Sequence, residues 1–218
     1  MKYYKYYLLS LVVIILDQAV KLIIHFNMEL GEEILVFDDW FKIHYTENPG
    51  MAFGIQIEWQ YGKFLLTFFR LFAMAAIGYY ILVLARKQVH QGLIWCVALI
   101  LAGAIGNVID STFYGVFLNN APADASTPWF HGKVVDMFYL DIWSGFVADW
   151  VPIWGGKHLF LWPIFNIADA SIFVGVAIIL IMQKRFFAED KKEEIPETTE
   201  VESAANDESI EPEIKPTE

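Results

Sequence analysis

The feature that most constrains this fold is a long apolar run late in the chain, FLWPIFNIADASIFVGVAIILIM at Phe160–Met182. A helix that spans a bilayer needs about 20 mostly apolar residues, so this run predicts a transmembrane helix. It contains a single charged residue, Asp169. A carboxylate inside a membrane helix costs roughly 2.5–3.5 kcal/mol on insertion scales. Asp169 is therefore predicted to be functional and to have a partner elsewhere in the chain, and Asp136 is the best candidate for that partner.

Three further apolar runs have the length of a membrane span. The composition agrees with a membrane protein, since 56% of the 218 residues are hydrophobic and the mean hydropathy is +0.42. The first run lacks a small-residue cleavage site and is interrupted by Asp17 and Lys21, so it predicts a retained helix and not a removed signal peptide. Residues 1–187 are predicted to form one four-helix membrane domain, with spans at about 7–26, 63–85, 92–113 and 160–182.

Two long connections are predicted to lie on the same side of the membrane. Residues 27–62 contain alternating apolar and polar pieces, such as Phe41–Tyr45, that are typical of amphipathic strands. Residues 114–158 hold a Pro/Ala/Asn/Ser-rich insert and a second candidate strand, Val134–Leu140. Tryptophan and tyrosine in these connections favour the membrane interface. The predicted fold class is a mainly α membrane protein with four transmembrane helices, a small amphipathic β-sheet and long loops on the outer membrane surface.

Basic residues are distributed unevenly over this predicted topology. The positive-inside rule then places both termini in the cytoplasm and both long loops outside. The loops on the outer side hold three lysines, namely Lys42, Lys133 and Lys157. The basic residues on the inner side are Lys2, Lys5, Arg86, Lys87, Lys184, Arg185, Lys191 and Lys192.

The net charge of −11 comes mainly from residues 188–218, which hold twelve acidic residues and three lysines. This segment has few large apolar residues, so it is predicted to be an acidic, disordered cytoplasmic tail. The rest of the chain shows no basic face, and nucleic acid is therefore not an expected partner. The single cysteine, Cys96, excludes an intrachain disulfide and is predicted to be a small buried hydrophobic residue.

Other ionisable residues also fall inside the predicted spans. Asp17 and Lys21 are four residues apart with the acid first, the favourable order for an ion pair on a helix. They either neutralise each other within the bundle, or Asp17 also orients the active site. Arg70 in the second span is either an ion-pair partner within the bundle or extends to the near interface.

The third span is rich in small residues, including Gly103 and Gly106, which permit close helix packing. With Asp110 at its end, three aspartates fall near the outer half of the predicted membrane; the others are Asp136 and Asp169. Two carboxylates held close together cannot both ionise, so one serves as a base and the other as an acid at the same pH. Such a pair can deprotonate a water and protonate a departing amine without a metal.

From this chemistry alone three classes of protein stay open: an aspartic hydrolase in the membrane, a proton-coupled transporter and a non-catalytic membrane scaffold. The chain has no internal sequence repeat, which counts against a repeat-built transporter. Its five histidines show no HExxH or other metal-ligand spacing, and no glycine-rich phosphate loop or CxxC is present. No cofactor and no metal are therefore expected.

Five short motifs occur in the order in which they occur in a known family. Over about residues 7–185 the chain resembles bacterial lipoprotein signal peptidase, also called signal peptidase II. One such motif is weakly specific, whereas five in order on a four-helix frame are highly specific. The motifs are Asp17-Gln18 with Lys21, NPGMAFG at 48–54, GNVID at 106–110, VVDM at 134–137 and FNIAD at 165–169.

The resemblance implies an aspartic endopeptidase of the bacterial cytoplasmic (inner) membrane. Such an enzyme removes the signal peptide of a prolipoprotein just before a diacylglyceryl-modified cysteine. The resemblance implies Asp136 and Asp169 as the catalytic pair. The implied supporting or substrate-binding residues are Asp17, Lys21, Asn48, Gly50, Asn107, Asp110 and Asn166.

The resemblance also implies the partners. They are prolipoprotein signal peptides with a diacylglyceryl cysteine, membrane lipid, and globomycin-type inhibitors that sit between the two aspartates. The protein is expected to act as a monomer.

Two features depart from the family pattern. The family usually follows its Asn-x-x-Asp element with arginine, whereas this chain has Ser111. The task of that arginine is either unfilled or passed to another residue, with Lys133 and Arg70 as candidates. The insert between Asp110 and Asp136 is also long for the family, and no role is assigned to it.

Overall fold

The structure, a computed structural model, describes residues 3–38, 40–49, 62–146, 148–150, 155–156, 158–161 and 163–187. Within these ranges four helices are long and apolar enough to cross a membrane, which confirms the predicted four-helix class. They are α1 (Tyr4–Asn27), α2 (Gly62–Arg86), α3 (Gln91–Ile109) and α5 (Ile167–Phe186). The predicted acidic tail at 188–218 lies outside the described residues.

The helical path that begins with α3 continues to Phe117, beyond the predicted end of the third span at residue 113. A π-helical turn at Asp110–Tyr114 follows α3, and then a short helix α4 at Gly115–Phe117. A π-helical turn inserts an extra residue into the helical path and is frequent at functional sites. Here it begins at an aspartate that sequence analysis assigned to the site.

The fourth span begins later than predicted. The apolar run suggested a helix over 160–182, but α5 starts at Ile167, and strands β5 (His158–Leu161) and β6 (Ile164–Phe165) occupy the start of that run. Asn166 is the N-cap of α5, because its side chain accepts a hydrogen bond from the backbone N–H of Asp169 at 2.9 Å. Apolar composition does not by itself distinguish a short strand from a helix, which explains the error.

The strands form a small antiparallel sheet in the order β1-β2-β3-β6. Its members besides β6 are β1 (Glu33–Phe37), β2 (Phe41–Asn48) and β3 (Val134–Leu140). This confirms the strand predicted from alternation at Phe41–Tyr45 and the candidate strand at Val134–Leu140. A separate two-stranded sheet pairs β4 (Trp143–Phe146) with β5. In the β2–β3 pairing, Thr46 lies opposite Asp136 and Asn48 opposite Val134. The register therefore places Asn48 next to the strand segment that carries Asp136.

Helix α3 is the most buried of the four membrane helices within the described chain, and each of the others packs against it. Side-chain hydroxyls join the helices, since Tyr7 donates to the carbonyl of Gly78 at 2.7 Å and Ser10 to the carbonyl of Ala98 at 2.7 Å. One end of the bundle is apolar. Its core residues are Tyr6, Ile81, Leu84, Leu93, Ile94, Cys96, Val97, Ala98, Leu101 and Phe186.

Small residues on α3 permit the close contacts that sequence analysis predicted. A Cβ at Gly103 would overlap the carbonyl oxygen of Ala168 on α5. A Cβ at Gly106 would lie 2.6 Å from a carboxylate oxygen of Asp17 on α1. Because these contacts bring the backbone of α3 against α1 and α5, polar groups of the three helices meet at the end of the bundle that faces the sheet.

Candidate active site

A fully buried ionic cluster joins α1 to the end of α3. The Nζ atom of Lys21 lies 2.9 Å from Oδ2 of Asp17 and 2.7 Å from Oδ2 of Asp110, and no side chain of the three is more than 1% exposed. Gln18 adds a hydrogen bond, because its Nε2 donates to Oδ1 of Asp110 at 2.8 Å. Charges at this depth need partners, since an unpaired buried charge costs several kcal/mol. The cluster satisfies this need within itself.

Asp17 has a second contact that links this cluster to the start of α5. Its Oδ1 accepts a hydrogen bond from the backbone N–H of Ala168 at 2.9 Å. The first N–H groups of a helix have no partner within the helix, and the helix dipole favours a negative charge there. Asp17 therefore pairs with Lys21, as one of the two alternatives stated from sequence requires, and it also contacts the helix start beside Asp169. That Asp17 orients the active site stays a prediction.

Two asparagines connect the predicted catalytic aspartates. The Nδ2 of Asn166 donates to Oδ1 of Asp136 at 2.6 Å, while its own Oδ1 accepts from the backbone of Asp169. The Nδ2 of Asn107 donates to Oδ1 of Asp169 at 2.7 Å, and its Oδ1 accepts from Lys21 at 3.1 Å. The structure thus brings Asp136 on β3 and Asp169 on α5 into one hydrogen-bond network.

Asp136 lies on β3, just outside the spanning segments, and is 3% exposed. Its burial, together with the nearby charge of Asp169, raises the pKa of Asp136 to about 7, although hydrogen bonds from Asn166 and Asn48 act in the opposite direction. A carboxyl group that holds its proton up to neutral pH can act as a general acid, which an ordinary aspartate cannot do.

Asp110 fixes the strand that carries Asp136. Its Oδ2, besides its contact with Lys21, accepts from the backbone N–H of Val135 at 3.4 Å. The hydroxyl of Tyr114 donates to Oε1 of Gln18 at 3.0 Å and so supports the same cluster. Asp110 therefore connects α1, α3 and β3.

Gln18 and Tyr114 were not among the predicted site residues. Gln18 carried a usable signal, since it is a polar residue next to Asp17 within an apolar span. Tyr114 carried none, because its position depends on the π-helical turn at Asp110–Tyr114.

An arginine from α2 contacts Ser111, the residue that stands where the resemblance implies an arginine. The Nη1 of Arg70 donates to Oγ of Ser111 at 3.2 Å, and its positive charge attracts Asp169. The other candidate, Lys133, is instead paired with Glu47 at 3.1 Å. Arg70 therefore makes contacts within the bundle, as one of its two predicted alternatives required.

The described residues include all the predicted site residues except Gly50, which lies outside them. Among those described, no group of three or more His, Cys, Asp and Glu side chains is arranged to hold a metal ion. The predicted residues that share one connected network are Asp17, Lys21, Asn48, Asn107, Asp110, Asp136, Asn166 and Asp169.

Comparisons with known proteins point to the same family as the sequence motifs. The family model described as signal peptidase (SPase) II matches residues 9–185. A lipoprotein signal peptidase of Amoebophilus asiaticus is 46% identical over 183 residues, covering 83% of this chain and 78% of the relative. One from Porphyromonas gingivalis is 38% identical over 204 residues and covers 88% of both chains.

A solved structure agrees with these relatives. It is a bacterial membrane enzyme that is 27% identical, with a TM-score of 0.56, and the match covers 87% of this chain and 92% of the other. The match of the family model to most of the chain and the identity to curated relatives lead to one conclusion. The chain belongs to the signal peptidase II family of aspartic peptidases.

Proposed function

We propose that this chain removes the signal peptide from diacylglyceryl-modified prolipoproteins, with Asp136 and Asp169 as its catalytic residues. The cut falls just before the lipid-modified cysteine. Membership of the signal peptidase II family supports the reaction and the class of substrate. The motifs shared with the family suggest the two aspartates, and the geometry of the site supports them.

The observation that carries this assignment is the hydrogen-bond bridge formed by Asn166. Its side chain contacts the carboxylate of Asp136 and the backbone of Asp169, and it is fully buried. A buried amide held by two partners has little freedom to rotate, so it fixes the spacing of the strand and the helix that carry the aspartates. Asn107 restricts the carboxylate of Asp169 from the other side.

The arrangement supplies what hydrolysis of a peptide bond requires. One carboxylate accepts a proton from a water as the water oxygen bonds to the carbonyl carbon. The other carboxyl group donates a proton to the peptide nitrogen as the carbon–nitrogen bond breaks. Two interacting carboxyl groups that share one proton provide both groups at the same pH.

A lipid-modified substrate suits the surroundings of the site. Strand β1 lies two strands from Asp136 in the sheet, and its Ile34, Leu35 and Phe37 side chains are exposed. An exposed apolar strand beside spanning helices favours contact with membrane lipid or with acyl chains. The proposal places this sheet and the site on the outer face of the inner membrane and both termini in the cytoplasm. It includes inhibition by globomycin between the aspartates and action as a monomer.

The test is cleavage of a lipid-modified prolipoprotein by the purified full chain in detergent, with globomycin as inhibitor. Wild type should cleave the substrate, and globomycin should block the reaction. Asp136→Asn and Asp169→Asn should each remove nearly all activity. The double variant should be little worse than either single one, because groups that act as a unit are not additive.

The matched control is Asp124→Asn, which removes an exposed carboxylate from the insert and should cleave like wild type. Asp110→Asn should lose less activity than the dyad variants, since Asp110 supports the site through Lys21 and Val135. A folded Asp169→Asn protein that cleaves within a few-fold of the wild-type rate would end the aspartate assignment. Absence of cleavage by the wild type would end the proposed reaction.

A further inference from the structure

Arg70 is a charged residue within the membrane-spanning helix α2. It lies within an apolar span of α2, where an arginine costs roughly 2.5–3.5 kcal/mol on insertion scales. It is partly buried, and its guanidinium contacts a side chain on a neighbouring helix. Charged residues in membrane helices are by default functional candidates with a nameable partner.

The contacts of Arg70 lead to the site in two steps. Its Nη1 donates to Oγ of Ser111 at 3.2 Å, and that hydroxyl in turn donates to the backbone carbonyl of Asn107 at 2.9 Å. Asn107 is the residue whose side chain donates to Asp169. The charge of Arg70 also acts directly on Asp169. Ser111 therefore holds the guanidinium on the side of the pair where Asp169 lies.

The other cation near the two aspartates, Lys21, is already paired with carboxylates of its own. Lys21 lies between two carboxylates, Asp17 and Asp110, so this group of three carries a net negative charge when all are ionised. Asp136 is contacted by the neutral amides of Asn166 and Asn48, and the influence of Lys21 on it is smaller than that of burial. Within the described contacts, the two aspartates therefore stand in unequal electrostatic surroundings.

We propose that Arg70 acts through Asp169, keeping that carboxylate ionised as the base of the pair and leaving the shared proton on Asp136 as the acid. This inference rests on the proposed function. In the reaction, Asp169 takes the proton from water as the oxygen bonds to the carbonyl carbon. Asp136 gives its proton to the peptide nitrogen as the carbon–nitrogen bond breaks. Transfer of the proton from Asp169 back to Asp136 restores the starting state, so each turnover consumes one water and no other reactant.

If Arg70 acts in this way, its charge determines the pH dependence of cleavage. The charged groups that face Asp169 are Arg70 from α2, Asp136 from β3 and the cluster of Asp17, Lys21 and Asp110 from α1 and α3. Loss of the positive charge at position 70 makes ionisation of the pair harder. The acidic limb of the pH–rate profile then moves to higher pH by about one unit, which lowers the rate on that limb about tenfold. The limb belongs to the coupled pair and not to one residue.

The experiment compares pH profiles of kcat/KM for the full chain in detergent. Arg70→Met removes the charge and fills a similar length, and its limb should move to higher pH. Arg70→Lys keeps a charge, and its limb should stay close to that of wild type. Arg86→Met is the control, because Arg86 is exposed at the far end of the same helix, roughly 24 Å along the axis, and should leave the profile unchanged.

A purely structural role would lower activity or melting temperature equally at all pH values and leave the limb in place. The methionine variant is expected to fold, because it lowers the cost of insertion, and Ser111 keeps its acceptor on Asn107. Arg70→Gln is a second neutral variant. If both neutral variants failed to fold while Arg70→Lys folded, Arg70 would be a structural residue and the proposal would be wrong.

Two other outcomes would also overturn the proposed role of Arg70. One is an unshifted acidic limb in a folded neutral variant. The other is an acidic limb that shifts as much in Arg70→Lys as in Arg70→Met. Asp169→Asn, measured in parallel, separates the two proposals. An inactive Asp169→Asn with an unshifted Arg70→Met rejects only the role of Arg70. An active Asp169→Asn rejects the proposed function itself.

Discussion

The ammonium group of Lys21 lies 2.7 Å from the carboxylate of Asp110, and neither side chain is exposed at all. The two residues come from α1 and from the first position of the π-helical turn that follows α3. Asp110 also accepts a hydrogen bond from the backbone N–H of Val135, which directly precedes Asp136 on β3. This one ion pair therefore connects the helix bundle to the strand that carries a proposed catalytic residue.

Removal of the lysine should be strongly destabilising. Lys21→Met leaves Asp17 and Asp110 buried without their cation, and breaking a buried ion pair from one side costs about 3–5 kcal/mol. The measurement is the loss of stability in detergent by chemical or thermal unfolding. Lys5→Met is the control, because Lys5 is exposed; its ammonium donates to Gln91 and lies over the rings of Tyr6 and Trp95, so it is not a buried charge. A Lys21→Met protein as stable as the Lys5→Met protein would contradict the buried ion pair.

Helix packing provides a second test, with two glycines as a matched pair. Gly103→Ala places a Cβ against the backbone carbonyl of Ala168, a group that cannot move without shifting α5. Gly78→Ala places a Cβ 3.9 Å from the end of the Leu101 side chain, an ordinary contact. Overpacking a tight interface costs typically about 1–3 kcal/mol.

The expected outcome is a lower melting temperature and lower cleavage for Gly103→Ala only. Because α5 carries Asp169, its displacement should reduce activity more than a comparable loss of stability elsewhere. Equal behaviour of the two alanine variants would show that α3 and α5 are not in close backbone contact.

The sequence predicted those parts of the fold that depend on local pattern. Span length predicted four helices, alternation predicted the strand at Phe41–Tyr45, and Val134–Leu140 was a second candidate strand. The predicted start of the fourth span was wrong, because residues 160–166 are mostly apolar and so continue the apolar run of the helix. What decides between strand and helix there is pairing of Ile164 and Phe165 with β3 and the cap made by Asn166, which are tertiary features.

The site was predictable to a similar degree. Charged residues inside apolar spans are few, and each one costs free energy to place in the membrane. Asp17, Lys21 and Asp169 could therefore be predicted as functional candidates. The ion pair of Asp17 with Lys21 followed from their spacing of four residues, whereas the contacts that join this pair to the rest of the site did not follow from the sequence. That Asp17 also caps α5 through Ala168 depends on how α1 and α5 pack. The position of Arg70 beside Ser111 likewise depends on contacts between α2 and α3, so the sequence could offer Arg70 only as one of two candidates.

The orientation of the chain in the membrane can be tested with fused reporters. Eight basic residues on one predicted side place both termini in the cytoplasm by the positive-inside rule. A reporter that is active only outside the inner membrane should be silent when fused after Phe187 and active when inserted at Ala123, an exposed position between α4 and β3. The reverse pattern would place the site on the cytoplasmic face and contradict the proposed localisation.

The pKa of Asp136 predicts how the enzyme responds to pH. Burial raises that pKa to about 7, whereas an aspartate in an unfolded chain titrates near pH ~3.9. As the acid of the pair, Asp136 must hold its proton, so kcat/KM should fall as pH rises through about 7. Stability follows the same direction. The folded state binds more protons than the unfolded state between these two pKa values, so the free energy of unfolding decreases as pH rises across that window.

This stabilising contribution is fully present below the unfolded pKa and is lost as pH rises through the folded one. Other carboxylates also titrate in this window, so the informative quantity is the difference between wild type and Asp136→Asn, which cannot ionise at this position. We expect the melting temperature of wild type, relative to Asp136→Asn, to fall between pH ~4 and pH ~8. A constant difference over that range would show that Asp136 is ionised throughout. In that case it would not hold a proton to donate at neutral pH, and the acid of the pair would have to be Asp169.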